Sequence, residues 1–130
     1  MEYLHQDITK KIIRCFYNVY NKLGFGFLEK VYENALCYEL KKTNLSCLSQ
    51  YPVDVYYEEI KVGNYYADIV VENKVIIELK AEAAICPQHE AQLINYLKAT
   101  DIEVGLLLNF GQEPKIVRKI FNNTIKNKKN

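Results

Sequence analysis

Three charged residues draw attention by type and spacing: Asp68, Glu78 and Lys80, each beside a run that is otherwise apolar, Ile69-Val70-Val71 or Val75-Ile76-Ile77. A charge inside an apolar strand is costly unless it has a partner. Two neighbouring carboxylates repel, which raises the pKa of one of them, and a divalent cation removes the conflict. Oxygen donors without His or Cys favour Mg²⁺ or Mn²⁺ over Zn²⁺. Such an ion supplies a nucleophilic water, and the Lys80 ammonium can hold that water or offset charge on a pentacovalent phosphate. The chemistry that suits these parts is phosphodiester hydrolysis. Taken alone, D-x9-E-x-K is a short and common pattern, and an ion pair at a strand end would also account for it.

The three residues share a site only in one strand register. Tyr65–Val71 and Lys74–Lys80 are β-rich runs that read as a hairpin. With Glu72-Asn73-Lys74 as the loop, Val71 faces Val75 and Asp68 faces Glu78. Lys80, two residues on, then lies on the same face as Glu78. A turn one residue shorter would send Asp68 to the opposite face.

Helices must cover this hairpin, because strands apolar at nearly every position are buried on both faces. Residues 7–23 carry Ile8, Ile12, Phe16, Val19, Tyr20 and Leu23 at helical spacing, with Asp7 as the expected N-cap and Gly24-Phe25-Gly26 as the stop. A second helix is expected over 28–42, with Leu28, Val31, Tyr32, Ala35, Leu36 and Leu40 as its apolar stripe, ended by Thr43-Asn44. Residues 48–58 read as a strand in which Pro52 marks an edge or a start. Pro87 suits the first turn of a helix over 88–98. Val104–Leu108 reads as a buried strand, and 115–121 as a weaker strand or helix. The order predicts a single domain over residues 1–122, and a basic, solvated tail over 123–130.

Composition excludes several function classes. A chain of 130 residues that is 49% hydrophobic can bury a core without disulfides or a structural metal. Its formal net charge of +1 is not that of a protein that coats nucleic acid by bulk charge. The four cysteines show no CxxC spacing and there are only two histidines, which argues against zinc; Cys15 and Cys37 fall on apolar helix faces as small hydrophobes. The first residues carry no apolar signal segment and no run is long enough for a membrane span, so a cytoplasmic location is expected. The glycines match neither a P-loop nor a dinucleotide fingerprint.

Gly26-Phe27-Leu28-Glu29-Lys30-Val31-Tyr32 resembles the G-x-x-E-x-x-Y signature of the GxxExxY family, within the PD-(D/E)XK nuclease superfamily. The resemblance runs from the first helix to about residue 122. It takes in Ala67-Asp68, Val75–Lys80, His89–Lys98 and Gly105–Gly111. It implies an α/β fold with a central mixed sheet flanked by helices, and a triad of Asp68, Glu78 and Lys80. It also implies that Glu29 is a further metal ligand and that Gln92 and Tyr96 form a supporting Q-x-x-x-Y element. Ala67 stands where the superfamily name has Pro, and Tyr66 where many relatives carry a basic residue. Read from spacing alone, Glu29 is a carboxylate placed to suit a helix dipole. Gln88, Gln92 and Tyr96 are equally a wet helix face, with His89 beside it.

The resulting expectation is a Mg²⁺- or Mn²⁺-dependent nuclease acting on nucleic acid, DNA above all. Asp68 and Glu78 would hold the metal, with Glu29 and the backbone carbonyl of Leu79 as further ligands. Lys80 would position water, with support from Gln92 and Tyr96. So small an enzyme has little surface with which to grip DNA, and a homodimer would enlarge it. The alternative is a non-catalytic nucleic-acid-binding or protein-interaction module that keeps the fold.

Overall fold

A computed structural model describes residues 3–126. The elements run α1 (Gln6–Leu23), α2 (Glu29–Lys42), β1 (Cys47–Tyr57), β2 (Ile60–Val71), β3 (Val75–Lys80), α3 (Pro87–Ala99), β4 (Val104–Phe110), β5 (Pro114–Ile120) and α4 (Asn123–Lys126). The five strands form one sheet in the order β1-β2-β3-β4-β5. Neighbours are antiparallel except β3 and β4, which are parallel. A parallel pair needs a crossover, and α3 supplies it. This is the expected mixed sheet flanked by helices.

Two cores, one on each face, explain the doubly apolar strands. Ile8, Ile12, Phe16 and Val19 of α1 pack with Tyr32, Leu36 and Leu40 of α2 against Ile69, Val71, Ile77, Leu79 and Leu106. On the other face Leu93, Tyr96 and Leu97 of α3 cover Val70, Ile76 and Leu107. The second contact depends on Gly105. A Cβ built there would lie 2.6 Å from Leu93 Cδ1 and 3.0 Å from its Cγ. Gly105→Val should therefore lower stability by about 1–3 kcal/mol through overpacking, read as a lower denaturant midpoint at unchanged slope.

Several expectations are corrected. Asp7 is not the N-cap: α1 starts at Gln6 after His5, whose φ of 55° is left-handed, and Asp7 lies in the first turn. Leu28 and Val31 do not join the α2 stripe. Leu28 is the residue before the helix and is 81% exposed, and Val31 is exposed too. β2 begins five residues earlier than its β-rich run, because Tyr57-Glu58-Glu59-Ile60 closes a second hairpin without Gly, Asn or Pro. Glu58 takes the left-handed conformation itself, at φ 57°. The ambiguous last element is a strand paired with β4.

Of the expected tail, residues 127–130 lie outside the described residues, and 123–126 are docked rather than free. Lys126 Nζ donates to the carbonyls of Thr100 and Ile102, and the Asn123 amide donates to Glu103. Arg118 and Lys119 are engaged as well, on the Leu4 carbonyl and the Glu90 carboxylate. Among the described residues, no helix is long and apolar enough to cross a membrane.

Candidate metal and active site

The hairpin register is the one that places Asp68 against Glu78. Val71 pairs with Val75, Val70 with Ile76, and Ile69 with Ile77. Lys74 N–H closes the turn on Val71 O at 2.9 Å. Glu72 and Asn73 between them have φ of 54° and 53°, the left-handed pair that a type I′ turn requires. Glu72 is further held by the amide of Ser46, which donates to its carboxylate at 2.7 Å.

The backbone ladder stops at Ile69 and Ile77, and side chains take over its next rungs. The Asp68 amide donates to Glu78 Oε2 at 2.8 Å, and the Leu79 amide donates to Asp68 Oδ2 at 2.8 Å. Each carboxylate is thus fixed by the partner strand's main chain through one oxygen. Asp68 Oδ1 and Glu78 Oε1 make no hydrogen bond among the described residues. The two acids are forced together where β2 and β3 part.

The energetic conflict shows in their protonation. Burial first, and then the charge of Asp68, push the Glu78 carboxyl up to about 8 from an ordinary 4.5. Burial also raises Asp68, against the lowering effect of its hydrogen bond from Leu79; Glu33 and Glu29 raise it further, and Lys80 lowers it. Lys80, half-buried at the end of β3, is the cation that acts on both carboxylates.

Glu29 opens α2 on the other side of the site. With Gly26, Phe27, Leu28, Ala81 and Glu82 it lines a cleft that adjoins Lys80. Its charge reaches both Asp68 and Glu78, but it does not join them in one group. Among the described residues no three His, Cys, Asp or Glu side chains form a group that would hold a metal. The tyrosine of the G-x-x-E-x-x-Y stretch explains how Glu29 is placed. Tyr32 is fully buried, stacks on Phe110 at 4.1 Å, donates to the Gly24 carbonyl at 2.7 Å and accepts from the Phe27 amide at 3.2 Å. One hydroxyl thereby pins the loop that leads into α2. Tyr32→Phe leaves both loop groups without that partner and should cost about 1–3 kcal/mol in a denaturant melt.

Gln92 and Tyr96 are brought to the α3 side. Gln92 Nε2 donates to the Tyr96 hydroxyl at 2.6 Å. Tyr96 is buried, and its phenol is raised by that burial and further by the charges of Glu78 and Asp68. Among the described residues no hydrogen bond joins either side chain to Lys80. His89 is accounted for within its own helix: its Nδ1 accepts from the Cys86 amide at 3.3 Å.

Three further residues shape the site. Glu33, 5% exposed, accepts from both Lys30 and Gln50. Gln50 has a left-handed φ of 54° and lies opposite Asp68, between the pairs Ser49–Ile69 and Tyr51–Ala67. At that point the alternation of faces breaks, since Ala67 and Val70 both join the α3-side core. Asn109, 1% exposed, clasps the backbone of Glu82 from both sides: its Oδ1 accepts from the Glu82 amide, and its Nδ2 donates to the Glu82 carbonyl. That clasp fixes the chain as it leaves Lys80. The helical spacing of Glu29 and Glu33 was visible in the sequence; the roles of Gln50 and Asn109 had no signal there.

The donor set suits a hard divalent cation. Two carboxylates are held with one oxygen each unused, and the carboxyl whose charge is most suppressed is the one that a cation would restore to its ionised form.

Comparison with known proteins gives a family and a fold likeness. The family model of the PD-(D/E)XK nuclease superfamily matches residues 6–120. The crystal structure of SSO0001 superposes with a TM-score of 0.57 at 20% identity, over 75% of this chain and 54% of that one. The chain therefore spans about half the length of that neighbour, and the likeness is one of fold. The comparison with curated proteins returned no significant match.

Proposed function

The chain belongs to the PD-(D/E)XK nuclease superfamily, and from that premise we propose that it is a Mg²⁺- or Mn²⁺-dependent nuclease that hydrolyses phosphodiester bonds in DNA, a member of the GxxExxY group. The observation that carries this reading is the reciprocal bonding of Asp68 and Glu78, which keeps two carboxylates together in a site that burial makes hostile to both charges. Neutral amide side chains could accept the same two backbone hydrogen bonds, so it is the pair of charges that a bound cation accounts for.

Asp68 and Glu78 would hold the ion, with Glu29 and the carbonyl of Leu79 completing its shell. The ion's contribution is to make its bound water acidic and to neutralise phosphate charge. Lys80 orients the attacking water and stabilises negative charge on the phosphate as it builds up. Tyr96, buttressed by Gln92, limits the site on the α3 side and offers a hydroxyl to a phosphate oxygen. Asn109 and Tyr32 act by position, fixing the chain on either side of the cleft. A second copy of the chain would supply the additional surface that duplex DNA needs.

The test is cleavage of supercoiled, linear, single-stranded and branched DNA by the purified protein with Mg²⁺, Mn²⁺ or EDTA, beside Lys80→Ala. Cleavage should require the cation and fall by about 10²–10⁴-fold in Lys80→Ala. Equal cleavage by both proteins, or in EDTA, would remove the assignment. Binding without cleavage would favour a non-catalytic module.

A further inference from the structure

We propose that Cys37 and Cys47 are a redox-modification site, closing to a reversible disulfide by exchange with a small-molecule disulfide such as oxidised glutathione. The two cysteines are ten residues apart in the sequence and lie on different elements, Cys37 in the third turn of α2 and Cys47 at the start of β1. Their sulfurs lie 3.2 Å apart, with the Cys47 thiol donating to Cys37. Both are half-buried at the rim of the α1/α2-side core, whereas Cys15 is 2% exposed within it.

The thiol that accepts the hydrogen bond is taken as the attacking one. The hydrogen bond from Cys47 holds the Cys37 thiol below its ordinary range, and the same bond together with burial raises Cys47. Cys37 is therefore the attacking sulfur and Cys47 the resolving one. The Cys37 thiolate attacks one sulfur of the glutathione disulfide, breaks its S–S bond and expels one glutathione thiolate. Cys47 then loses its proton and attacks Cys37 in the mixed disulfide, expelling the second. One disulfide is reduced to two thiols and one is formed, and two protons pass from the protein to the two glutathiones. The sulfurs must close from 3.2 Å to about 2.05 Å.

The clamp would act on a seam that matters to the site. Glu33 stands one helical turn before Cys37 and Gln50 three residues after Cys47, and these two are already hydrogen-bonded across the same α2–β1 contact. A covalent tie there would reinforce the strut beside Asp68 whether or not the protein cleaves DNA.

The test uses the full chain, equilibrated with oxidised glutathione or dithiothreitol. Of its four thiols, two should be lost on oxidation, with an intact mass lower by two hydrogens and a Cys37–Cys47 linked peptide after digestion. The melting temperature should rise, and dithiothreitol should reverse both effects. Cys86→Ser should behave the same, and Cys47→Ser should instead trap glutathione on Cys37. A linked peptide containing Cys86, four thiols still titratable after oxidation, or a glutathione adduct that persists on Cys37 when Cys47 is present would each overturn the proposal.

Discussion

Asp68→Asn should reduce metal-dependent cleavage by about 10³-fold or more, a loss of roughly 4 kcal/mol or greater in transition-state stabilisation. The substitution is a clean probe because asparagine keeps an oxygen that can accept from the Leu79 amide, as Asp68 Oδ2 does at 2.8 Å. Only the charge and the cation-binding capacity are removed. The loss should fall on kcat rather than on DNA affinity, since Asp68 is partly buried among Glu78, Glu29 and Lys80 and offers no favourable contact to a phosphate by itself. Single-turnover cleavage together with DNA-binding titration separates the two. Asp68→Ala should be worse in one respect, because it also strips the partner from the Leu79 amide and should unfold earlier.

Glu78→Gln is expected to do the opposite to the two properties of the protein: abolish cleavage and stabilise the metal-free fold. Glu78 is 6% exposed, and burial with the charge of Asp68 lifts its carboxyl to about 8. Between its ordinary 4.5 and about 8 the folded chain holds more protons at this position than the unfolded chain does. Stability contributed here is complete below the lower value and is lost as pH rises through the higher one. The raised Asp68 acts in the same sense. The metal-free wild type should therefore weaken as pH rises across that window, by on the order of a few kcal/mol. Glutamine stays neutral and can still accept from the Asp68 amide, so the variant's pH dependence should be shallower and its stability near pH 8 higher than wild type. Denaturant melts in EDTA at several pH values measure both.

What the sequence disclosed, and what it did not, divides along physical lines. The Asp68–Glu78 juxtaposition was legible by counting: with Glu72-Asn73-Lys74 as the loop, Val71 faces Val75 and the two acids come opposite each other, although both runs are apolar on both faces and would stay buried in a slipped register. The helices were legible from spacing, and the buried β3 and β4 from unbroken apolar runs. The splay that lets carboxylates replace ladder rungs was not, because it depends on the face change around Asp68 and on Gln50 opposite, in a conformation that glutamine rarely adopts. The exposure of Leu28 was hidden for a related reason: an apolar residue one position before a helix fits the periodic stripe without sharing its face. The Cys37–Cys47 contact joins a helix to a strand across a turn, where neither periodicity nor motif spacing gives a signal.

The central claim is that the carboxylate pair exists to hold a cation. Calorimetric titration of Mn²⁺ into the wild type and Glu78→Gln, in buffers of different ionisation enthalpy near neutral pH, tests it most directly. The wild type should bind with release of up to about one proton, because the cation drives Glu78 to its charged form, and Glu78→Gln should lose both the affinity and the proton release. Binding of equal strength in both proteins, or no binding in either, would contradict the account.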